Sequence, residues 1–309
     1  MAILFHCPWD NADQWLAALR AALPDDEIRV WPDVGPVAEI DFAFVWQIPH
    51  GVLAAFPNLL AIASLGAGVD ALVADPDLPR DVPITRLLDP LMADRMAEYV
   101  CAGVLHHHLG LDVYGEQQGR EHWQRHPTRD AGERRVALLG LGQMGQRCAQ
   151  RLGALGFDLL GWSRSPRQIH GVRCNHGPNG LVHVLAAAEI AVLLLPLTAR
   201  TTNLMDFTAF NAMPRGACLI NCSRGEIVVE ADLIAALDSG QLAGATLDAF
   251  AEEPLPPGHA LWRHPKVRLT PHIASLSEAS TAALILADQV RRARNHEPLR
   301  DLVDIGNGY

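Results

Sequence analysis

The sequence predicts an α/β protein built from two doubly wound parallel-sheet units, and three observations carry that prediction. Short apolar runs alternate with stretches of helical periodicity along almost the whole chain, the pattern of strands buried between helices. The run Val136-Ala137-Leu138-Leu139 opens directly onto Gly140-Leu141-Gly142-Gln143-Met144-Gly145, a G-x-G-x-x-G turn with a strand before it and a helical pattern after it. The 309 residues, 49% of them hydrophobic, supply core for two domains.

Composition excludes several classes. A formal charge of −10 argues against nucleic acid as the main partner, though small anionic ligands respond to local charge. Cys7, Cys101, Cys148, Cys174, Cys218 and Cys222 are scattered without C-x-x-C spacing, which suits reduced thiols in a cytoplasmic protein and neither a disulfide framework nor a zinc site. The stretch Met1 to Cys7 lacks the basic segment of a signal peptide. The most apolar run, Ile190 to Leu197, is too short to span a bilayer and reads as a buried strand.

In chain order, strands are expected at Ile3–Phe5, Ile28–Val30, Phe42–Trp46 and Leu60–Ala63. Asp13–Leu23 carries Trp15, Leu16, Leu19 and Leu23 on one helical face, with Pro24 ending it. Pro76, Pro79, Pro83 and Pro90 then interrupt the pattern. One long helix is expected from about Leu91 to Gln118. Its consecutive His106, His107 and His108 point to different sides and cannot converge on one metal. After a loop from His126 to Glu133 the alternation resumes. Strands are expected at Asp158–Trp162, Ala191–Leu195, Ala217–Asn221, Ala243–Leu247 and Val267–Leu269, and helices at Met144–Leu155, Leu181–Ala188, Ala231–Leu237 and Glu278–Arg294. With the glycine-rich strand, this second unit has six strands, as a complete dinucleotide-binding domain requires. The last helix lies beyond the sixth strand and is free to return to the first unit.

The glycine-rich turn implies a dinucleotide, with backbone N–H groups and a helix start brought up to a pyrophosphate. An NAD site places an acid at the end of the second strand to bind the ribose 2′-hydroxyl. Here that strand ends Trp162-Ser163-Arg164-Ser165-Pro166-Arg167, without an acid, and Asp158 sits too early. An arginine pairs with a 2′-phosphate whereas a carboxylate repels it, and Ser163 and Ser165 add hydrogen bonds, so NADPH is expected over NADH.

Chemistry is expected just beyond the strand ends of the second unit. Asn221-Cys222-Ser223-Arg224-Gly225 offers a cation, with Gly225 read as permitting a tight turn. Asp248-Ala249-Phe250-Ala251-Glu252-Glu253-Pro254 offers three carboxylates, and Pro271-His272-Ile273-Ala274-Ser275 a histidine. Reduction of a 2-oxo acid needs a cation for the substrate oxygens, a proton donor and an acid that favours the donor's charged form. An arginine, an acid and a histidine, each at a strand end of one domain, meet that need.

These segments, with Pro196-Leu197-Thr198 and Thr201, resemble the D-isomer-specific 2-hydroxyacid dehydrogenase family along essentially the whole chain. Within it they are most similar to the glyoxylate/hydroxypyruvate reductase A group, through Phe44-Val45-Trp46, Leu65-Gly66-Ala67-Gly68-Val69-Asp70, Trp162-Ser163-Arg164, Leu255-Pro256-Pro257, Leu261-Trp262 and Tyr309. The resemblance implies a Rossmann cofactor domain, 95–276, inserted in a flavodoxin-like substrate domain, 1–94 plus 277–309. It implies NADPH-dependent reduction of glyoxylate to glycolate and hydroxypyruvate to glycerate. Arg224 would bind the substrate's carboxylate and carbonyl oxygens, His272 would donate the proton and Glu253, immediately before the proline, would partner it. Backbone N–H groups around Gly66, Ala67, Gly68 and Val69 would grip the carboxylate, with Trp46 beside them. Gly140, Gly142, Gln143, Met144 and Gly145 would hold the pyrophosphate. Leu195, Pro196 and Thr201 would line the cofactor, as would Ala274 and Ser275. Asp248 would contact the nicotinamide side, with Cys222 and Ser223 lining the pocket. The substrate would bridge the domains.

Family resemblance also implies a homodimer packed through the cofactor domains and the helix near Ala97 to Leu111. Trp123 in the following arm is read either as reaching the partner's site or as a packing residue. Two alternatives stand beside this reading. One is a relative acting on other 2-oxo acids. The other is a dinucleotide-sensing corepressor or scaffold, which would have no chemical need of Arg224, Glu253 and His272 together. A metal site and an activated cysteine are not expected.

Overall fold

A computed structural model describes residues 1–9 and 11–309. The chain forms two compact units, Met1–Met92 with Ser277–Tyr309, and Ala93–Leu276.

The first unit holds five parallel strands, β1 (Ala2–His6), β2 (Glu27–Val30), β3 (Ile40–Val45), β4 (Ala61–Ser64) and β5 (Ile84–Thr85), in the order β2-β1-β3-β4-β5. Every residue of β3 and β4 is buried, as expected of a parallel sheet covered on both faces. The helix α1 (Ala12–Ala22) buries Trp15 and Leu19 and packs against the helix Ala279–Arg294, which belongs to this unit. Asp41, an acid inside β3, is buried because Arg294 of that helix grips both its oxygens, at 2.8 and 3.0 Å. The strand β5 and the short helix α2 (Asp70–Val73) were not expected, since neither is long enough to show periodicity.

The expected helix from Leu91 to Gln118 is two helices, α3 (Pro90–Leu109) and α4 (Leu111–Gly119). Gly110 at φ +65 breaks them apart, a left-handed conformation that ends a helix and that glycine adopts without steric cost. Of the three histidines, His106 and His107 both approach the Asp112 carboxylate, at 2.8 and 3.8 Å, and His108 points elsewhere. His107 is buried and hydrogen-bonded through Nε2 to Thr246 Oγ1 at 3.0 Å. His108 meets the Phe157 ring edge-on. Among the described residues no group of three or more metal-ligating side chains forms, and no helix is long and apolar enough to cross a membrane.

The second unit continues with β6 (Arg135–Leu139), α5 (Gln143–Ala154), β7 (Asp158–Ser163), β8 (Val172–His176), α6 (Gly177–Ala187), β9 (Ile190–Leu193), α7 (Phe207–Ala212), β10 (Ala217–Asn221), α8 (Glu230–Asp238), β11 (Leu242–Leu247) and β12 (Val267–Leu269). Its parallel sheet has the order β12-β11-β10-β9-β6-β7-β8, seven strands rather than the six expected. The missed strand, β8, is a half-exposed edge strand without an apolar run. Alternate residues of β6 enter opposite cores, Ala137 and Leu139 on one face and Val136 and Leu138 on the other. The order reverses between β6 and β9, the position at which open α/β sheets bind ligands.

Candidate active site

Register brings the carboxyl ends of the second sheet into one row. Leu139 lies opposite Trp162 and Leu193, Asn221 opposite Leu193 and Leu247, and Leu247 opposite Leu269. The glycine-rich turn and the segments beginning at Ser163, Cys222, Asp248 and Thr270 therefore leave the sheet along the same edge.

Each glycine of the turn has its own reason. Gly140 stands at φ +112, and a Cβ there would lie 2.3 Å from Leu194 O. A Cβ on Gly145 would lie 2.0 Å from Gly140 O, so the first turn of α5 rests on the loop that precedes it. Gly142, the N-cap of α5, would carry a Cβ into open space. Packing within the chain does not demand a glycine there, whereas close approach of a pyrophosphate to the backbone does. Gln143 and Met144 follow in the first turn of α5, which holds no acid, leaving the positive end of the helix dipole uncompensated by a carboxylate.

At the end of β7, Ser163 donates its hydroxyl to Ser165 O at 2.7 Å, and Arg164 and Ser165 are exposed. Asp158 is at the opposite end of the strand, paired with Arg173 at 2.7 Å. Trp162 is buried, with its indole N–H donating to Gly177 O at 2.8 Å and its carbonyl accepting from Gly140 N–H at 2.9 Å, which ties the end of β7 to the glycine-rich turn. After β9, Leu195 is buried and Thr201 closes the loop, donating to Pro196 O at 2.7 Å and accepting from Thr198 N–H at 2.8 Å.

Beyond β10, the buried Asn221 organises the turn. Its Oδ1 accepts from the N–H and hydroxyl of Ser223 at 3.0 and 2.8 Å, and its Nδ2 donates to Arg224 O at 3.0 Å. Gly225 has a different reason from the one expected, because its φ is not left-handed. A Cβ there would lie 1.9 Å from the carbonyl carbon of Phe250, so the glycine lets two backbones touch. This contact ties the Arg224 segment to the Glu253 segment. Cys222 is buried, and burial with Asp248 nearby pushes its thiol well up.

Asp248 and Glu253 divide the work around His272. Glu253 Oε2 lies 2.8 Å from His272 Nδ1, while its Oε1 accepts from Phe250 N–H at 2.9 Å. Burial pushes the Glu253 carboxyl up. The hydrogen bonds from His272 and Phe250 and the charges of His272 and Arg224 outweigh that and hold it below the usual carboxylate value. Asp248 is buried, with Oδ1 accepting from Thr270 Oγ1 at 2.6 Å and Ile273 N–H at 2.8 Å, and Oδ2 from Ala274 N–H at 2.8 Å. It thus clamps the loop on both sides of His272. Ser275 Oγ reaches Met144 Sδ at 3.8 Å, linking this loop to the start of α5. Tyr99 of α3, which was not among the expected site residues, bonds to Thr270 Oγ1 at 2.6 Å.

In the first unit, the loop after β4 is held by its own hydrogen bonds. Ser64 donates to Gly68 O at 3.0 Å and accepts from Gly66 N–H at 3.3 Å, while Gly66 O accepts from Leu87 N–H at 3.1 Å. Ala67, Gly68 and Val69 follow at the start of α2. Trp46 lies against Gly66: a Cβ there would be 2.5 Å from its ring.

Residues 101–274 match the family described as D-isomer specific 2-hydroxyacid dehydrogenase, NAD binding domain. Over their full lengths, the chain is 37% identical to glyoxylate/hydroxypyruvate reductase A of Photorhabdus laumondii and 38% identical to that of Serratia proteamaculans. Among solved structures, a D-isomer specific 2-hydroxyacid dehydrogenase from Xanthobacter autotrophicus, in complex with NADPH and MES, superposes with a TM-score of 0.95 at 44% identity, covering 100% of this chain and 99% of that one. An NADPH-dependent glyoxylate/hydroxypyruvate reductase from Sinorhizobium meliloti, in complex with NADP and sulfate, gives 0.94 at 33% identity with the same coverage. The chain belongs to the D-isomer-specific 2-hydroxyacid dehydrogenase family.

Proposed function

We propose that the chain reduces small 2-oxo acids, glyoxylate to glycolate and hydroxypyruvate to glycerate, with NADPH preferred over NADH. The observation that carries this reading is the 2.8 Å contact of His272 Nδ1 with Glu253 Oε2, in a segment locked by backbone contact to the Arg224 turn. A carboxylate on Nδ1 orients the ring so that Nε2 is the nitrogen that gives the proton to the substrate oxygen. Arg224 binds the carboxylate and the carbonyl oxygen, and its positive charge stabilises the negative charge that develops there. Asp248, through the 270–274 loop, keeps His272 in place. In the other unit, the Gly66–Val69 loop offers N–H groups suited to a carboxylate.

The chain's residues fit the cofactor. The Gly140–Gly145 turn accepts a pyrophosphate, and the Ser163–Arg167 turn is acid-free with two arginines, which suits a 2′-phosphate. When bound, NADPH supplies the hydride taken up by the carbonyl carbon. We also infer a homodimer, supported by exposed apolar side chains on α3, α4 and the following arm: Leu109, Leu111, Val113, Tyr114 and Trp123, the last 93% exposed.

Oxidation of NADPH and NADH measured side by side with glyoxylate, hydroxypyruvate and pyruvate tests the reading. The expected result is highest kcat/KM for glyoxylate or hydroxypyruvate and a lower KM for NADPH. No turnover of any 2-oxo acid overturns the activity, and a preference for NADH overturns the assignment of Arg164.

A further inference from the structure

We propose that Trp9 is a specificity-determining residue. It fixes Trp46 against the Gly66–Val69 loop, and the two rings form a rigid stop that restricts the substrate to 2-oxo acids with a side chain no larger than hydroxymethyl. The proposal rests on the reading that this loop receives the substrate's carboxylate, and it deepens that reading by assigning the size limit to particular residues.

Three indoles run from the core of the first unit to the loop. Trp15, in α1, is fully buried. The Trp9 ring packs on it at a centroid distance of 5.6 Å and a tilt of 49°. Trp46 packs on Trp9 at 5.2 Å and 43°. Both separations lie within the range of favourable aromatic pairing. The backbones of Trp9 and Trp46 are held as well. Trp9 O accepts from Ala12 N–H at 3.1 Å, at the start of α1, and Trp46 N–H donates to His6 O at 2.9 Å, at the end of β1.

The far side of Trp46 is where the loop begins. Gly66 is not in a left-handed conformation, so its backbone does not require glycine. It is glycine because a Cβ would fall 2.5 Å from Trp46 Cζ3. Trp46 is thus gripped between Trp9 and the loop backbone. An indole has only two side-chain torsions, and held between the Trp9 ring and the Gly66 backbone this one cannot swing aside for a larger substrate. Trp9 is half-buried and belongs to the first unit, whereas Arg224, Glu253 and His272 belong to the second, so changing it is expected to alter the stop and leave those three as they are.

One methylene in an apolar pocket changes discrimination by roughly 10- to 200-fold. The test compares wild type, Trp9→Ala and Trp9→Phe for kcat/KM with glyoxylate, hydroxypyruvate, 4-methyl-2-oxopentanoate and phenylpyruvate, and for the KM of NADPH. Trp9→Ala is expected to raise the ratio of kcat/KM for the branched acid over glyoxylate by about tenfold, at the low end of that range, through a lower KM for the branched acid. The KM for NADPH should stay unchanged. Trp9→Phe should keep a ratio near that of wild type. If Trp9→Ala does not fold, Trp9→Leu is read in the same way. An unmoved ratio, or an equal loss with every acid, overturns the proposal while the activity stands. Wild-type protein that reduces none of these acids overturns both.

Discussion

His272 adopts φ +55, a left-handed conformation that costs a residue with a Cβ about 1–3 kcal/mol. The surrounding hydrogen bonds hold it there: Asp248 accepts from Thr270, Ile273 and Ala274, and Glu253 holds the ring. The backbone strain and the two acids that hold this residue fit the proton-donor role proposed for it, which substitution tests. His272→Ala should lower kcat by about 10²- to 10⁴-fold with little change in NADPH affinity, read by steady-state kinetics and by cofactor fluorescence titration. Near-wild-type kcat would remove His272 from the mechanism. Glu253 is held below the ordinary carboxylate value of 4.5. A group whose pKa is depressed on folding keeps its favourable contact above the ordinary value and loses it as pH falls through the depressed one. Any acid-side loss of activity that Glu253 controls should therefore lie below pH 4.5 and vanish from the profile of Glu253→Gln, which is itself slower. A wild-type limb well above that pH would have another origin. Arg224, Glu253 and His272 were legible as residue types at strand ends. Asn221, Tyr99 and Thr270 were not assigned roles, because a hydrogen bond across the fold leaves no local pattern.

At the scale of elements, most periodic segments were read correctly, the longest of them being the exception, and the other errors fell where local signal was weak. The helical pattern runs on past Gly110, and a single glycine inside it is tolerated often enough to be passed over; its φ of +65 decides that α3 ends there. The strand β8 was missed because an edge strand need not be apolar, and α7 because six residues are too few. The contact of α3 with β11 carries a pH dependence. Burial lowers the pKa of His107 from 6.5 to about 4 against the opposing charge of Asp112, so the ring stays neutral in the folded protein. Between pH 6.5 and 4 the unfolded chain takes up a proton that the folded chain refuses, and stability falls with pH, by at most about 3 kcal/mol. Thermal melts should show His107→Gln, which can keep a hydrogen bond to Thr246, losing much less stability than wild type between pH 7 and 4.5. Parallel decline of the two proteins would place the acid sensitivity elsewhere.

Across the whole molecule, the apolar side chains left exposed from Leu109 to Trp123 call for a cover, and a second copy of the chain is the one proposed above. Gel filtration should give twice the 33.6 kDa of one chain. Elution as a monomer would overturn the dimer and, with it, any role for Trp123 in a partner's site.

Alternating apolar runs and helical periods were enough to determine two parallel-sheet units, the glycine turn between β6 and α5, the arginine-bearing turn after β7, and the order of arginine, acid and histidine along the chain. These depend on local backbone preference and on the chemistry of short segments, which the sequence states directly. The resemblance already implied that Glu253 partners His272, but tertiary structure alone decided that Asp248 clamps the loop beneath it, that Gly225 and Gly66 are glycines for close contact rather than for φ, and that Trp162 faces inward. Each of those depends on atoms distant in sequence arriving within a few ångströms of one another, and only strand register and packing bring them there.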